Sequence, residues 1–439
     1  MSSLFLLGLF VTTIVAQAVF PARRLEIVLS GAGLAIASSA LAGNDASRIL
    51  AEIPWDVLVI MASLGVVSRV LGESGVFTRL AVRGTLLTRA EPRWILVGGA
   101  LLMFFISGLV NNITALLLVL PIVIAIFELV GTTQRHLRWT IGVLLVACNL
   151  GGASTPIGDF PAILLLGAGA MAFKDYLVLA FPAALVALVL LLVIVQLVVR
   201  PTRGMDASPL RREITVAAVE ALHRRVRLDP WLLIPGLVVL AAMLAAWIVF
   251  PASVVPPHMI AWIGGVVVLA ATAHRTKTAL IKGIDVEATL FLFALFALVG
   301  TVSASGFFAD LGDRLADLPL PPSVKLVILV GTTGLATGLF SAGPSMAAML
   351  EVGQPLASSV APAAVYIGLA LGVCAGSSLL LTAATSGPLT ESLIARASLA
   401  DDQGRPVSFT FKSFLPVGVL SFSVILGVGL VTVGLIAGT

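Results

Sequence analysis

The sequence predicts an all-α polytopic membrane protein built from two inverted repeats. Composition is the first reason: of 439 residues, 59% are hydrophobic and 11% charged, and the mean hydropathy is +1.12. Soluble domains carry roughly 25% charged residues, so the long apolar runs read as membrane-spanning helices. The second reason is that elements of the first half recur in the same order in the second, at a nearly constant offset. The third is the run CNLGGASTPIGDFPA at 148–162, which sets helix breakers and a carboxyl group in the middle of an apolar segment. Unpaired backbone in lipid costs several kcal/mol per group, so such a break is tolerated only against protein or a water-lined cavity.

Residues 1–200 make the first repeat. Plain spans are predicted over 4–20, 27–42 and 53–77. Ala16-Gln17-Ala18 superficially suits signal peptidase, but residues 1–3 carry no basic side chain and a matching segment recurs later, so 4–20 is read as a retained span. A hairpin follows over 94–130 with Asn111-Asn112-Ile113-Thr114 at its tip. Next come a broken helix over 139–173 and a plain span over 176–199. Residues 201–230 form a hydrophilic cytoplasmic linker. Within it 211–228 mixes Val, Ile and Leu with arginines, the pattern of a short helix lying at the membrane interface, and Ser208-Pro209 is a good helix start.

Residues 231–439 make the second repeat. The segment 231–250 matches 4–20, each running into Phe-Pro-Ala. The segment 285–308 matches 53–77, the two ending Ser305-Gly306-Phe307-Phe308 and Ser74-Gly75-Val76-Phe77. A hairpin over 326–352, carrying GLFSAGPSMAAML, matches GLVNNITALLL. A broken helix over 363–393 matches 139–173, and 411–435 matches 176–199.

Arginine and lysine placement sets the orientation. With the hairpins entering and leaving on one face, Arg23, Arg24, Arg79, Arg83, Arg89, Arg93, Arg135, Arg138, the linker arginines, Arg275, Lys277, Lys282, Arg396, Arg405 and Lys412 share a face. The other face holds Arg48, Lys174, Arg314 and Lys325. The basic face is the cytoplasmic one, which leaves both termini outside. Five spans plus a hairpin per repeat then invert the second half relative to the first, and inverted repeats place a transport site at their interface near the midplane.

An ionisable residue at membrane depth marks a functional site. In the first repeat the candidates are Asn111, Asn112 and Thr114 at the hairpin tip, with Asn149, Gly151, Gly152, Ser154, Thr155, Gly158 and Asp159 at the break. Amide, hydroxyl and freed carbonyl oxygens are the donor set for a dehydrated cation, and half-helix ends add partial charges of roughly half a unit. Asp159 can hold Na⁺ when ionised or a proton when neutral, or it can cap the second half-helix. The second-repeat counterparts are neutral hydroxyls: Ser341, Ser345, Ser377, Ser378, Thr382, Thr385 and Ser386. Such residues also serve close helix packing.

Charges elsewhere read as structural. Arg69 and Glu73, four apart on one helix face, are expected to pair. Asp56, Asp285 and Glu287 fall near span ends, at the interface. Glu351 and Glu391 are weaker candidates for proton coupling. The net charge of +4 comes from loop arginines and implies no nucleic-acid partner. Cys148, Cys374 and the histidines have no metal-ligand spacing, and no nucleotide-binding loop or hydrolase constellation is present, which argues against an enzyme. No cofactor is expected beyond bound Na⁺ or H⁺.

The tip Asn111–Thr114 with Leu120-Pro121 downstream, and the run 149–161, resemble the ion-transporter superfamily. That group takes in the arsenite permeases and sodium/proton antiporters of the ArsB/NhaD group, citrate transporters and divalent-anion/sodium symporters. Residues 149–161 are similar to its N-x-G-G-x-x-T-x-I-G-D-P-P run, and 55–77 to its third span. The resemblance implies a homodimeric elevator-type transporter of the bacterial inner membrane. It also implies that Asn111, Asn112, Thr114, Asn149, Gly151, Thr155 and Asp159 make up the first-repeat ion site.

Three functions remain in play. Cation-coupled transport resembling Na⁺/H⁺ antiport is slightly favoured, because Asp159 is the one acid in the core motif. The alternative is Na⁺- or H⁺-coupled movement of a small anion, a carboxylate such as citrate or a dicarboxylate, or an oxyanion such as arsenite. It is favoured by a hydroxyl-lined second half without an acid and by half-helix N-termini. The third is a channel or a non-transporting subunit, against which the paired broken helices argue.

Overall fold

The computed structural model describes residues 3–20, 23–41, 53–89, 91–203, 213–217, 220–221, 227–275, 286–384, 386–401 and 403–438. Among these the chain is helical throughout, apart from turns and one isolated bridge between Ala400 and Pro406. Among the described residues eight helices are long and apolar enough to cross a membrane, or nine if one bent pair counts as a span.

The first half opens with α1 (Ser3–Val19), α2 (Arg24–Leu41) and α3 (Trp55–Glu73). The span read over 53–77 is present as α3, but it stops at Glu73, and its last residues belong to a turn and the start of a second helix. After Ser74 the chain turns at Gly75, with φ at +79°, into α4 (Val76–Leu87). The second half does the same between α12 (Val286–Ser303) and α13 (Phe307–Asp317), which meet at 63° with Gly306 at φ +77°. Glycine takes this left-handed conformation without a Cβ clash, so the shared Ser-Gly signature is a helix stop rather than the tail of a span. The Arg69 Nε donates to Glu73 at 2.7 Å, as the spacing requires.

The hairpin consists of α5 (Pro92–Ser107) and α6 (Asn112–Val130), and the broken helix of α7 (Gln134–Ser154) and α8 (Phe160–Gly167). The half closes with α9 (Phe173–Ile194), extended by one π-type turn to Val199. Most of the helix read over 211–228 lies outside the described residues; 213–217 is helical. The second half contains α10 (Pro230–Val249), α11 (Pro257–Thr272), α12, α13, the hairpin α14 (Pro322–Phe340) and α15 (Ala342–Ala357), α16 (Pro362–Ser377), α17 (Ser386–Ala397) and α18 (Phe411–Gly438). The hairpin runs four to five residues beyond 326–352 at each end. Proline opens α5, α10, α11, α14 and α16 at a position whose N–H needs no intrahelical partner.

Packing divides the helices into two groups. In the first, α2 lies along α12, α3 lies along α11, and α1 and α10 brace α2 and α11. In the second, α7 and α16 are the innermost elements. α7 is held between α5, α9 and α18, and α16 between α14, α15 and α18. Glycine sets the closest approaches: a Cβ on Gly151 would fall on the Phe104 carbonyl of α5, and one on Gly376 on the Gly334 carbonyl of α14. Small residues at helix contacts are how membrane helices come together without a hydrophobic drive between them.

Candidate functional site

The first hairpin tip and the first break are tied to each other. Asn111 caps α6, its Oδ1 accepting from the Ile113 N–H at 2.7 Å. The buried Asn112 accepts from the Ser107 hydroxyl, and its amide reaches the Asp159 carboxyl. The Cys148 carbonyl, 2.8 Å from the same Ser107 oxygen, is the alternative acceptor for that hydroxyl's single hydrogen. The Thr155 hydroxyl donates to the Gly108 carbonyl at 2.6 Å, and the Tyr176 hydroxyl to the Ala153 carbonyl at 2.8 Å. Carbonyls left over where α5 and α7 stop are thereby satisfied by hydroxyls, as a helix end inside a membrane requires. Gly152 packs against Asn112 and Asp159, and Gly158 against the Gly152 and Ser107 carbonyls, so neither leaves room for a Cβ. Asp159 caps α8, its Oδ1 accepting from the Phe160 N–H at 2.8 Å.

Asn149 joins the halves. Its Nδ2 donates to the Ser377 carbonyl and to the Ser378 hydroxyl, both at 3.2 Å. Ser377 and Ser378 in turn donate to the Val373 and Cys374 carbonyls one turn back. Their hydroxyl hydrogens are thus spent within α16, which leaves Ser378 to act towards Asn149 as an acceptor.

A cavity of about 110 Å³ lies against this arrangement. That is room for several waters, since one needs about 10–15 Å³ on the same kind of measure. It is bordered by Asn111 and Asn112 of the first tip, Asn149, Gly158 and Asp159 of the break, and Ser341 and Ser377 of the second half. Three helix N-termini reach it: Asn112–Ile113 of α6, Phe160–Pro161 of α8 and Ala342–Gly343 of α15. Ser341 stands at the second tip with φ +81° and ψ 157°, a conformation other residues leave to glycine.

Not every expected residue comes to the cavity. Thr114 is half-buried on α6 and Ser154 donates to the Gly151 carbonyl at 2.7 Å; neither lines it. Gly151 serves the α5–α7 contact. The buried Ser345 stands one turn into α15, away from the lining, and Ser386 is buried at the start of α17. Thr382 is exposed, while Thr385 and Asp285 lie outside the described residues. Glu351 accepts from Ser303, and Asp56 meets His258 at 3.2 Å.

The lining also includes residues that are not among the sequence candidates, notably Arg24 of α2, Ser68 of α3, and Phe291 and Leu292 of α12. In sequence Arg24 is an orientation signal and nothing more. A polar serine inside an apolar span was the one sequence mark available for Ser68.

The family model described as a citrate transporter matches residues 7–372. The chain belongs to the citrate transporter family. Membership makes it a multi-span membrane protein and a secondary transporter, not an enzyme, with a small ion as substrate. Among its relatives, the magnetosome protein MamN of Paramagnetospirillum magneticum is 27% identical over 94% of both chains. An uncharacterised transporter of Mycobacterium tuberculosis is 25% identical over 87% of this chain and 86% of its own length. The YdaH transporter of Alcanivorax borkumensis has a similar fold, with a TM-score of 0.55 over 89% of this chain and 87% of its own, at 16% identity.

Proposed function

We propose that this transporter carries a small carboxylate anion together with a cation, Na⁺ or H⁺, that neutralises Asp159. The observation that carries this reading is the lining of the cavity: three helix N-termini and an arginine face it, against one carboxylate. Helix N-termini favour anions, and an arginine fork suits a carboxylate. An ionised Asp159 repels that anion until a cation or proton cancels its charge, which is the physical content of coupling. Asn111, Asn112, Asn149 and Asp159, which caps α8, are the cation pole, and Ser341 with the N-terminus of α15 is the anion pole. The family's description as citrate transporters supports the same substrate class.

Two features support an inverted-repeat, elevator-type cycle. Matching pairs pack across the halves, α2 on α12 and α3 on α11, as a static frame would. The hairpins and broken helices, which carry Asn111, Asn112, Asn149, Asp159, Ser341 and Ser377 of the cavity, form the other group, and the frame supplies the facing wall with Arg24 and Phe291. Arg24, part-exposed at the cavity edge, sits on the face assigned to the cytoplasm, so this conformation is read as inward-facing.

Cation–proton exchange without an anion is the second reading. It is favoured by the amide-rich pole around Asp159. Counterflow in proteoliposomes separates the two. With unlabelled citrate or succinate trapped inside, labelled carboxylate should accumulate transiently. Failure across a carboxylate panel, with proton release on adding Na⁺, would make the second reading the right one.

A further inference from the structure

The geometry points to Arg24 as the residue that recognises the anion, with Glu287 as an internal carboxylate that occupies it when no substrate is present. This rests on the proposed carriage of a carboxylate and adds who binds it and what it must displace. Arg24 lies on the cavity lining with its side chain 28% exposed, and its guanidinium carbon stands 5.6 Å from the ring centre of Phe291, which lines the same cavity. An aromatic face under a guanidinium orients the plane while leaving its N–H edge to hydrogen-bond. Glu287, one turn before Phe291 on α12, meets Arg24 Nη2 at 3.5 Å and is 62% exposed. A well-formed charge-assisted pair lies at about 2.7–2.9 Å and is commonly two-pronged, so this contact is loose. Exposed pairs of this kind contribute little, and a substrate carboxylate that takes both prongs inside the cavity outcompetes them.

The arrangement gives opposite signs to two substitutions. Losing the fork removes the charged hydrogen bonds to the substrate, so Arg24→Gln should weaken carboxylate binding by about tenfold to a hundredfold, equivalent to about 1.4–2.8 kcal/mol. Arg24→Lys keeps the charge without the fork and should fall between. Glu287→Gln removes the competitor and should tighten binding by a few-fold. A residue serving only the α2–α12 contact would make both substitutions harmful.

The test is equilibrium binding of labelled citrate and succinate to the purified full-length protein, with ²²Na⁺ binding measured in parallel. Weaker carboxylate binding in Arg24→Gln, tighter binding in Glu287→Gln and unchanged Na⁺ binding in both support the inference. Wild-type-like carboxylate binding by Arg24→Gln, or weakened binding by Glu287→Gln, overturns it while leaving carboxylate transport standing. If the wild type itself binds neither carboxylate, the transport reading falls and this inference falls with it.

Discussion

Asp159 holds two positions that sequence treats as rivals, helix cap and cavity carboxylate, and the geometry joins them. One oxygen is engaged by the Phe160 N–H at the start of α8, while the carboxyl group still borders the cavity and meets Asn112. Replacement by asparagine keeps an oxygen for the cap, so Asp159→Asn should fold and insert normally. Ser341 is the strained residue of the site, held at φ +81° and ψ 157°. Such a conformation costs about 1–3 kcal/mol in a residue with a Cβ. Ser341→Gly should therefore raise the unfolding temperature in a detergent thermal-shift assay, and an unchanged or lower value would remove the strain argument. Gly151→Ala should do the reverse. Its new Cβ would strike the Phe104 backbone, which cannot swing aside like a side chain, and the folded yield by size-exclusion chromatography should collapse.

At the scale of elements, the innermost contact between halves is the Asn149 amide of α7 on the end of α16. Asn149→Ala leaves the buried Ser377 carbonyl without its donor, at a cost of about 1–3 kcal/mol. By contrast, losing the exposed Arg69–Glu73 pair should cost about 0.5 kcal/mol or less. Thermal unfolding of Asn149→Ala beside Arg69→Ala measures the difference, and equal effects would remove Asn149 from its bridging role. The hairpins and broken helices were legible in sequence because Gly, Pro and Asn interrupt apolar runs there, and interruption in lipid needs a reason. The amphipathic helices α4 and α13 were not. Their first turns are apolar enough to read as the ends of spans, and only the positive φ of Gly75 and Gly306 reveals the turn. Arg24 was illegible as a site residue because its side chain reaches the cavity from a loop-proximal position, and sequence records position rather than reach. Thr114, Ser345 and Thr382 show the opposite error: on a helix, a neighbour in the motif points elsewhere.

For the whole molecule, both cysteines are buried. The folded wild type should therefore resist thiol reagents, which makes it a clean background for accessibility. The basic-face assignment puts the exposed Ser253 outside and the exposed Gln403 inside. A membrane-impermeant maleimide should label Ser253→Cys on intact cells, and Gln403→Cys only after permeabilisation. Labelling of both from one side would break the inverted-repeat topology. The two helix groups bear on mechanism in the same way: coupling needs Asp159 and the hairpin tips to move as one body against the α2–α12 and α3–α11 frame, which carries Arg24 on the facing wall of the cavity.

The decisive measurement is uptake of labelled citrate and succinate into proteoliposomes under an imposed Na⁺ or pH gradient, comparing wild type with Asp159→Asn. Gradient-driven uptake in the wild type, reduced in the variant to a flux that ignores the gradient, is the outcome these structural arguments require. Asp159→Asn uptake that still follows the gradient would reduce Asp159 to a helix cap and place the coupling site elsewhere.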